Sequence, residues 1–484
     1  MTASGIRVYD ARRRTKVPFD PVAPGRAGMY VCGMTVQDRP HVGHMRYAVS
    51  TDAIRRYLES KGIAVNYVTN FTDIDDRIIA RANEEGISHE EVSERNIQAF
   101  LHYSDVLNLM PATHYPRATR HIPEIVDLIR RLVDLKYAYA SGGDVYFEVR
   151  RWKRYGELSG RNVDELKSGA RIEVGEAKRD PLDFTLWKGA KPGEPAWDSP
   201  WGRGRPGWHI ECSAMAMKYL GEEFDFHGGG QDLIFPHHEN EIAQSEAATG
   251  RTFARYWIEN GLVNLEGAKM SKSTKHFFSI EDVVARVEPQ VVRFYLQSTH
   301  YRSPIEWSEE RVDEARVGYD RLREALARAE GRAADGSGPV TLPVTLPKEL
   351  GQARLLDEVA ELRSQFAEAM DDDFNTARAQ GHLFEIAKAI NRVADQADGS
   401  SVERAALPAA GRHLRELGET IGLFWGGKAA EEPPSPEVEA LVRKRDEARV
   451  QMQWGRADQL RDEIAALGYV LEDGKEGTKV RRQS

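Results

Sequence analysis

Two short motifs carry groups suited to phosphate chemistry. His41-Val-Gly-His44 sets two imidazoles three residues apart around a glycine that permits close backbone approach, and a helix can begin just beyond it at Met45. Imidazoles at a helix N-terminus can bind phosphate, because unpaired N–H groups and the helix dipole favour an anion there. Far downstream, Lys269-Met-Ser-Lys-Ser273 follows Gly267 and joins two ammonium groups to two hydroxyls on one loop. Such a loop can clamp a triphosphate and stabilise the charge of departing pyrophosphate. Each motif alone serves equally well as an ordinary solvated loop. The pair in this order is a far more specific signal.

A second constellation concerns sulfur. Cys32 and Cys212 are the only cysteines, and His237 and Glu241 stand four apart in a segment that can be helical. That spacing projects both side chains from one face, with His238 and Glu239 pointing elsewhere. Two thiols, an imidazole and a carboxylate form a donor set suited to zinc. On the residues alone, two buried free cysteines beside a solvated His/Glu helix remain the plainer account.

The elements that must position these groups alternate. Met29 to Gly33 and Ala64 to Asn70 are apolar, strand-like runs, with helical spacing from Val49 to Lys61 between them and Gly62 as its stop. Strand, helix, strand at these lengths is the βαβ unit of a parallel sheet. Phe224 to Gly230 is predicted as a later strand breaking into a glycine turn, after an insertion rich in Gly, Pro and Trp. From Ser308 the pattern turns helical: Val312, Ala315, Tyr319, Leu322 and Leu326 form one apolar stripe. A linker at 331–347 precedes more helical pattern at 350–423, and a second linker at 426–436 sets off a small tail.

Composition bounds the class. With 484 residues, 41% hydrophobic and 30% charged, the chain can bury about three domain cores and is neither disordered nor collagenous. A net charge of -9 excludes a generally basic nucleic-acid coat, though residues 437–484 balance ten acidic against ten basic side chains. Two cysteines in such a length exclude a disulfide scaffold and point to a reducing, cytoplasmic compartment. Met1 to Lys16 lacks the apolar core of a signal peptide, and no apolar stretch reaches the ~20 residues of a membrane span, so no membrane partner is expected.

With both phosphate motifs in place, the chain resembles the class I aminoacyl-tRNA synthetases, whose HIGH and KMSKS signatures match His41 to His44 and Lys269 to Ser273. More narrowly it resembles the cysteinyl-tRNA synthetase family. That likeness rests on Tyr30 to Asp38, Asn70 to Asp76, Gly207 to Ser213, Phe226 to Asp232, Phe235 to Gln244, Met370 to Thr376 and Val470 to Gly474, so it runs nearly end to end. It implies an α/β fold: a Rossmann-like parallel-sheet catalytic domain with an insertion, followed by a helical bundle and a small C-terminal tRNA-reading domain. The expected divisions are 1–115 and 206–260 for the catalytic halves and 116–205 for the connective insertion. They continue with 261–310 for the KMSKS loop and stem-contact region, 311–425 for the bundle and 437–484 for the anticodon-binding domain.

The resemblance further implies one Zn²⁺ held by Cys32, Cys212, His237 and Glu241, and Mg²⁺ accompanying ATP. ATP would meet His41, Gly43, His44, Gly230, Asp232, Lys269, Ser271 and Lys272, with His41, His44, Lys269 and Lys272 stabilising phosphate charge during catalysis. Thr72 and Trp208 are candidates for the amino-acid pocket. In the tail, Arg449, Trp454, Asp458 and Asp473 offer a guanidinium, a stacking ring and carboxylates suited to unpaired bases of tRNA(Cys), and Lys479-Val-Arg-Arg482 is either a phosphate contact or a frayed basic end. The implied reaction joins L-cysteine to tRNA through cysteinyl-adenylate. A metal explains substrate choice, since pockets separate near-isosteres poorly whereas a thiol ionises readily on zinc and a serine hydroxyl does not.

The chain departs from the family pattern at Thr274-Lys-His-Phe-Phe278, where relatives usually carry Leu-Gly-Asn before the phenylalanines, and at Gln37, where tyrosine is common. Asp371 to Asp373 is expected to be an acidic cluster at a helix N-terminus rather than a metal site. Rival readings are an ATP-dependent cysteine ligase acting on an amino-sugar inositol in mycothiol biosynthesis, disfavoured by the tail, and an inactive RNA-binding paralogue, disfavoured by the intact phosphate motifs. A zinc hydrolase is disfavoured by the absence of a His-Glu-x-x-His pattern.

Overall fold

The computed structural model describes residues 5–162, 177–265, 279–331, 353–396 and 401–425, together with scattered positions between 438 and 482. It divides into two compact units, Met1–Leu423 and Phe424–Ser484. The linkers expected at 331–347 and 426–436 fall almost wholly outside the described residues, as do Lys269 to Ser273 and Thr274 to Phe278.

An antiparallel hairpin, β1 (Arg7–Asp10) with β2 (Thr15–Pro18), opens the first unit. Then come β3 (Arg26–Val31), helix α1 (Val42–Ser60), β4 (Ala64–Thr69), α2 (Asp76–Glu85) and α3 (His89–Val106). The insertion contains α4 (Ile122–Asp134) and four strands, β5 (Ala138–Ser141), β6 (Asp144–Phe147), β7 (Phe184–Gly189) and β8 (Gly204–Pro206), paired antiparallel in sequence order. The chain returns through α5 (Trp208–Leu220), β9 (Phe224–Gly230), α6 (Glu239–Thr249), β10 (Ala254–Asn260) and β11 (Val263–Leu265).

Strands β3, β4, β9 and β10 form one parallel sheet in the order β10-β9-β3-β4. The chain leaves β3 for one edge through α1 and later fills the other edge through β9 and β10. The strand order therefore reverses between β3 and β9, and open parallel sheets place their ligand crevice at the carboxyl ends flanking such a switch point. Cys32 follows β3 there, and its N–H donates to Gly228 of β9 at 2.9 Å. Tyr30, Val68, Phe224 and Trp257 from the four strands join Cys32, Cys212 and Ile242 in the core beneath it.

Two glycines permit this closeness. A Cβ on Gly33 would lie 1.6 Å from the Asn70 carbonyl oxygen, and one on Gly229 would lie 2.4 Å from the His238 ring. The Gly228 to Gly230 run thus belongs to the strand itself, not to a turn after it, because neighbouring side chains occupy the space its own would need. Helix α1 starts earlier than the apolar spacing suggested: His41 is its N-cap, and Val42 its first residue.

Helices α7 (Ile280–Val284) and α8 (Pro289–Leu296), strand β12 (Ile305–Trp307) and four long helices complete the unit: α9 (Glu309–Ala329), α10 (Arg354–Asp371), α11 (Thr376–Asp395) and α12 (Ser401–Thr420). The apolar stripe expected on α9 is buried throughout. Asp371 to Asp373 correct the acidic-cluster expectation: they close α10 rather than open a helix, and Asn375 caps α11 instead. Asp373, fully buried at φ +67°, accepts from Tyr9 N–H at 2.8 Å, the Tyr301 hydroxyl at 2.8 Å and Arg302 Nε at 2.7 Å. Tertiary partners here outweigh the dipole argument. The second unit contains α13 (Trp454–Ala466) and the hairpin β13 (Tyr469–Gly474) with β14 (Gly477–Arg482), around a small core of Val438 and Ile464. Lys479 to Arg482 are therefore paired strand backbone, not a frayed end.

Candidate active site

Four residues from distant parts of the chain converge at the switch point. Cys32 follows β3 directly, Cys212 lies in the first half of α5, and His237 and Glu241 bracket the start of α6. Their ligand atoms lie within 4.8 Å of one another, and all four residues are buried. Cys32 Sγ is 3.8 Å from Cys212 Sγ, 3.6 Å from His237 Nε2 and 3.4 Å from Glu241 Oε1, and His237 Nε2 is 3.2 Å from Glu241 Oε1. The helical spacing of His237 and Glu241 is reached by an irregular route. Regular α6 begins only at Glu239, after a wide π-type turn at Ile234–His238 in which Phe235 is non-helical, as expected for a residue preceding proline.

The electrostatics of the cluster are tightly coupled. Burial pushes the Cys32 thiol up, whereas the hydrogen bond from Cys32 outweighs burial to bring Cys212 down to about 6. Burial opposes charge on His237 and Glu241. Glu241 and Cys212 nevertheless raise His237 to about 10, and His227 and His237 hold Glu241 well below the ordinary carboxylate range. Burial holds His209 well below its ordinary value, and a hydrogen bond of 2.9 Å between its Nδ1 and His237 Nδ1 leaves His237 Nε2 facing the cluster.

Three further histidines surround the set, of which sequence reasoning singles out neither His209 nor His227 and sets His238 aside as pointing elsewhere. His209 is one; His227 Nε2 bonds Glu241 Oε2 at 2.9 Å, and His238 Nδ1 bonds Glu259 Oε1 at 2.8 Å. His238, expected from its helical position to point elsewhere, forms with Cys32, His227 and Glu241 a second, overlapping ligand group. The available signal was burial: a histidine inside the strand before Gly228 must find a polar partner indoors.

A cleft of about 1410 Å³ opens over the cluster. Cys32, Cys212, His237, Thr72 and Trp208 line it, and so do His41, Gly43, His44, Gly230 and Asp232. The Trp208 ring lies 4.6 Å from that of His237. His41 and His44 stack at 3.7 Å. His41 Nδ1 accepts from Gly43 N–H at 3.1 Å and His44 Nδ1 from His41 N–H at 3.2 Å, so both protons sit on Nε2. Burial holds His41 below its ordinary value, and burial together with His41 lowers His44 to about 3. Two neutral N–H donors thus crown a helix N-terminus with no acidic residue in its first turn.

Lys269, Ser271 and Lys272 lie outside the described residues, but both ends of their segment reach the cleft: Val263 and Asn264 line it before them and Ser279 after them, where Ser279 bridges His41. In the second unit Arg449 is half-buried, Trp454 begins α13, Asp458 follows four residues on and Asp473 lies near the end of β13. The side chains of Trp454, Asp458 and Asp473 are not among those described. Among the described residues no helix is long and apolar enough to cross a membrane.

Residues 18–317 match the family model of the class I (C) tRNA synthetase catalytic domain, 365–425 the DALR domain and 434–481 the cysteinyl-tRNA ligase anticodon binding domain. The fold is similar to that of a Mycobacterium tuberculosis methionyl-tRNA synthetase solved with methionyl-adenylate, at TM-score 0.60 and 15% identity, covering 82% of this chain and 91% of that one. A switch-point crevice with paired histidines on such a sheet defines a class I aminoacyl-tRNA synthetase. Cysteine–tRNA ligases of Geobacter metallireducens and Geobacter sulfurreducens are 48% and 49% identical to the chain, covering 98% of it and 99% and 98% of their own lengths. The chain belongs to the cysteine–tRNA ligase family.

Proposed function

We propose that the protein activates L-cysteine with ATP and transfers it to the 3′ end of tRNA(Cys). The observation that carries this reading is the convergence of two cysteines, a histidine and a glutamate beside the paired histidines at the switch point. In the first step a cysteine carboxylate oxygen bonds the α-phosphorus of ATP, the bond to the bridging oxygen breaks and pyrophosphate leaves. In the second, the terminal ribose hydroxyl takes the acyl group, loses its proton and releases AMP. No enzyme nucleophile is required, so the chain's residues act by positioning and charge stabilisation.

Zinc fits the cluster. Tetrahedral bonds of ~2.3 Å to sulfur and ~2.0–2.2 Å to nitrogen and oxygen place two sulfurs about 3.8 Å apart, sulfur and nitrogen about 3.6 Å, and nitrogen and oxygen about 3.4 Å. The corresponding separations are 3.8, 3.6 and 3.2 Å. Zinc bound by Cys32, Cys212, His237 and Glu241 would supply a soft cation that favours a substrate thiolate over a serine hydroxyl.

His41 and His44 donate Nε2–H to phosphate oxygens, which Gly43 lets approach the α1 N-terminus. Lys269, Ser271 and Lys272 hold the β/γ-phosphates with Mg²⁺ as counter-charge, while Asp232 beside Gly230 accepts from the ribose hydroxyls. Thr72 and Trp208 flank the amino acid. Arg449, Trp454, Asp458 and Asp473 read unpaired bases, in a cytoplasmic setting. The match of 434–481 to an anticodon-binding domain favours tRNA over an amino-sugar acceptor.

Labelled pyrophosphate should exchange into ATP with cysteine and only marginally with serine, and total tRNA rather than an amino-sugar inositol should accept the product. Equal exchange with serine, or transfer to the amino sugar alone, overturns the reading.

A further inference from the structure

Arg46 is a buried cation that takes no part in the arrangement described so far. It lies on α1 two residues beyond His44 and is 0% exposed, and among the described residues no carboxylate pairs with it. It donates to backbone instead. Nη2 reaches the Ser303 carbonyl at 2.5 Å and the His300 carbonyl at 3.3 Å, while Nε and Nη1 have no hydrogen-bond partner among the described residues. Burial brings the guanidinium down to about 10. A buried ion is weak evidence of stability, and the best-attested use of one is to fix register.

Both acceptors belong to one turn, His300 to Ser303, closed by the Ser303 N–H on the His300 carbonyl at 2.9 Å. Each of its four carbonyls takes a donor from a part of the chain that carries, or leads to, a group expected at the nucleotide. Arg46 takes the first and the last, the Gly261 N–H takes that of Tyr301 at 2.7 Å, and Gln231 Nε2 takes that of Arg302 at 2.8 Å. Gln231 stands between Gly230 and Asp232, and Gly261 leads into β11, whose last residue Leu265 precedes Lys269 by four. A Cβ on Gly261 would lie 2.2 Å from the Ser303 carbonyl oxygen, so only glycine lets β11 leave so close to the turn. Asp373 fixes the same turn from behind, through the Tyr301 hydroxyl and Arg302 Nε. Beyond the lysines the chain meets α1 again, where the Ile280 N–H donates to the Pro40 carbonyl at 3.3 Å.

We propose that the turn from His300 to Ser303 sets the spacing of the ATP site, with Arg46 and Gln231 as positioning residues. Through its carbonyls they hold the paired histidines of α1 and Asp232 in register with the strand leading to Lys269. The assignment rests on the ATP-dependent activation reading and adds to it residues that touch neither substrate. Donors to a triphosphate act together only when their mutual distances are held, and a misplacement of about 1 Å can cost a hundredfold. The cluster of Cys32, Cys212, His237 and Glu241 draws its side chains from the end of β3, from α5 and from the approach to α6, none of which donates to the turn. Loosening the turn should therefore disturb the nucleotide and spare the amino acid.

Three variants separate positioning from general damage. Arg46→Met removes both bonds of the guanidinium, and Arg46→Lys supplies an ammonium whose three hydrogens can serve the same carbonyls. Gln231 is exposed, so Gln231→Met removes one donor without threatening the fold. Calorimetric titration of the metal-loaded full chain with α,β-methylene ATP and Mg²⁺, and separately with cysteine, reads the two halves of the site, with zinc content and thermal midpoint recorded for each variant. Arg46→Met should weaken the nucleotide about tenfold or more and Gln231→Met about threefold, the scales of a charged and a neutral hydrogen bond. Cysteine affinity and zinc content should stay within about twofold, and Arg46→Lys should keep the nucleotide within about threefold of wild type. In pyrophosphate exchange, KM for ATP should rise while KM for cysteine holds. Equal loss of nucleotide and cysteine, an Arg46→Lys variant as weak as Arg46→Met, or unchanged nucleotide affinity in Gln231→Met overturns the assignment alone, the last even where Arg46→Met does not fold. Wild-type protein that binds neither nucleotide nor cysteine overturns the activation reading beneath it.

Discussion

The two cysteines share one cluster but not one state. The hydrogen bond from Cys32 brings Cys212 down to about 6, while burial pushes Cys32 up. A cation gains most from the residue already disposed to ionise, which makes Cys212 the more informative position to alter. Cys212→Ser should lower the zinc bound per chain and weaken metal affinity by at least about tenfold, the scale of disruption at metal ligands and their supports. Zinc analysis after dialysis checks this, and wild-type stoichiometry in the variant would remove Cys212 from the site. The four-residue spacing of His237 and Glu241 drew attention to the pair in the sequence, although a π-type turn rather than a regular helix carries His237. His209 and His227 were not legible there, since each lies behind another side chain, a relation no periodicity records.

Elements bring these side chains together through polar joints, some of them buried. The end of α10 is one: Asp371 accepts from Tyr57 of α1 at 2.6 Å, Asp372 pairs with Lys16 of β2 at 2.7 Å, and Asp373 holds β1 through Tyr9 and the His300–Arg302 loop through Tyr301 and Arg302. That run ties the bundle both to the helix carrying His41 and His44 and to the N-terminal hairpin. The sequence-based expectation of a helix N-terminus failed because an acidic run satisfies dipole rules near any helix start, and α11 does begin close by at Thr376. The tertiary partners that decided the matter lie some seventy and more than three hundred and sixty residues away. Asp373→Ala should remove the buried acceptor of the Tyr9 N–H, the Tyr301 hydroxyl and Arg302 Nε and lower stability by about 2–3 kcal/mol, the scale of leaving buried donors unpaired. Urea unfolding followed by tryptophan fluorescence measures it. A midpoint equal to that of wild type would mean that the joint is held by the apolar contacts of Phe374 and Met370 instead.

At the scale of the whole molecule, the order of parts was legible and their pairing was not. Alternation of strand and helix, the Gly/Pro/Trp-rich insertion and the later helical stripes are local patterns. That β9 lies beside β3, with β10 at the edge, follows from long-range register that emerges only when the sheet is assembled. The adenylation groups described here, from Cys32 to Ser279, all lie in Met1–Leu423, which has its own apolar cores, whereas 434–481 matches an anticodon-binding domain. The division makes the two half-reactions separable. Chain ending at Pro436 should retain cysteine-dependent pyrophosphate exchange within about twofold, since a unit with its own core folds on its own account. Aminoacylation of tRNA should fall by about tenfold or more, the value of a few lost base contacts, because stacking alone contributes ~1–3 kcal/mol per base. The loss should appear chiefly in KM for tRNA. Full charging by the truncated chain would assign the tail another task, and loss of exchange along with charging would show that the first unit depends on the second for its fold.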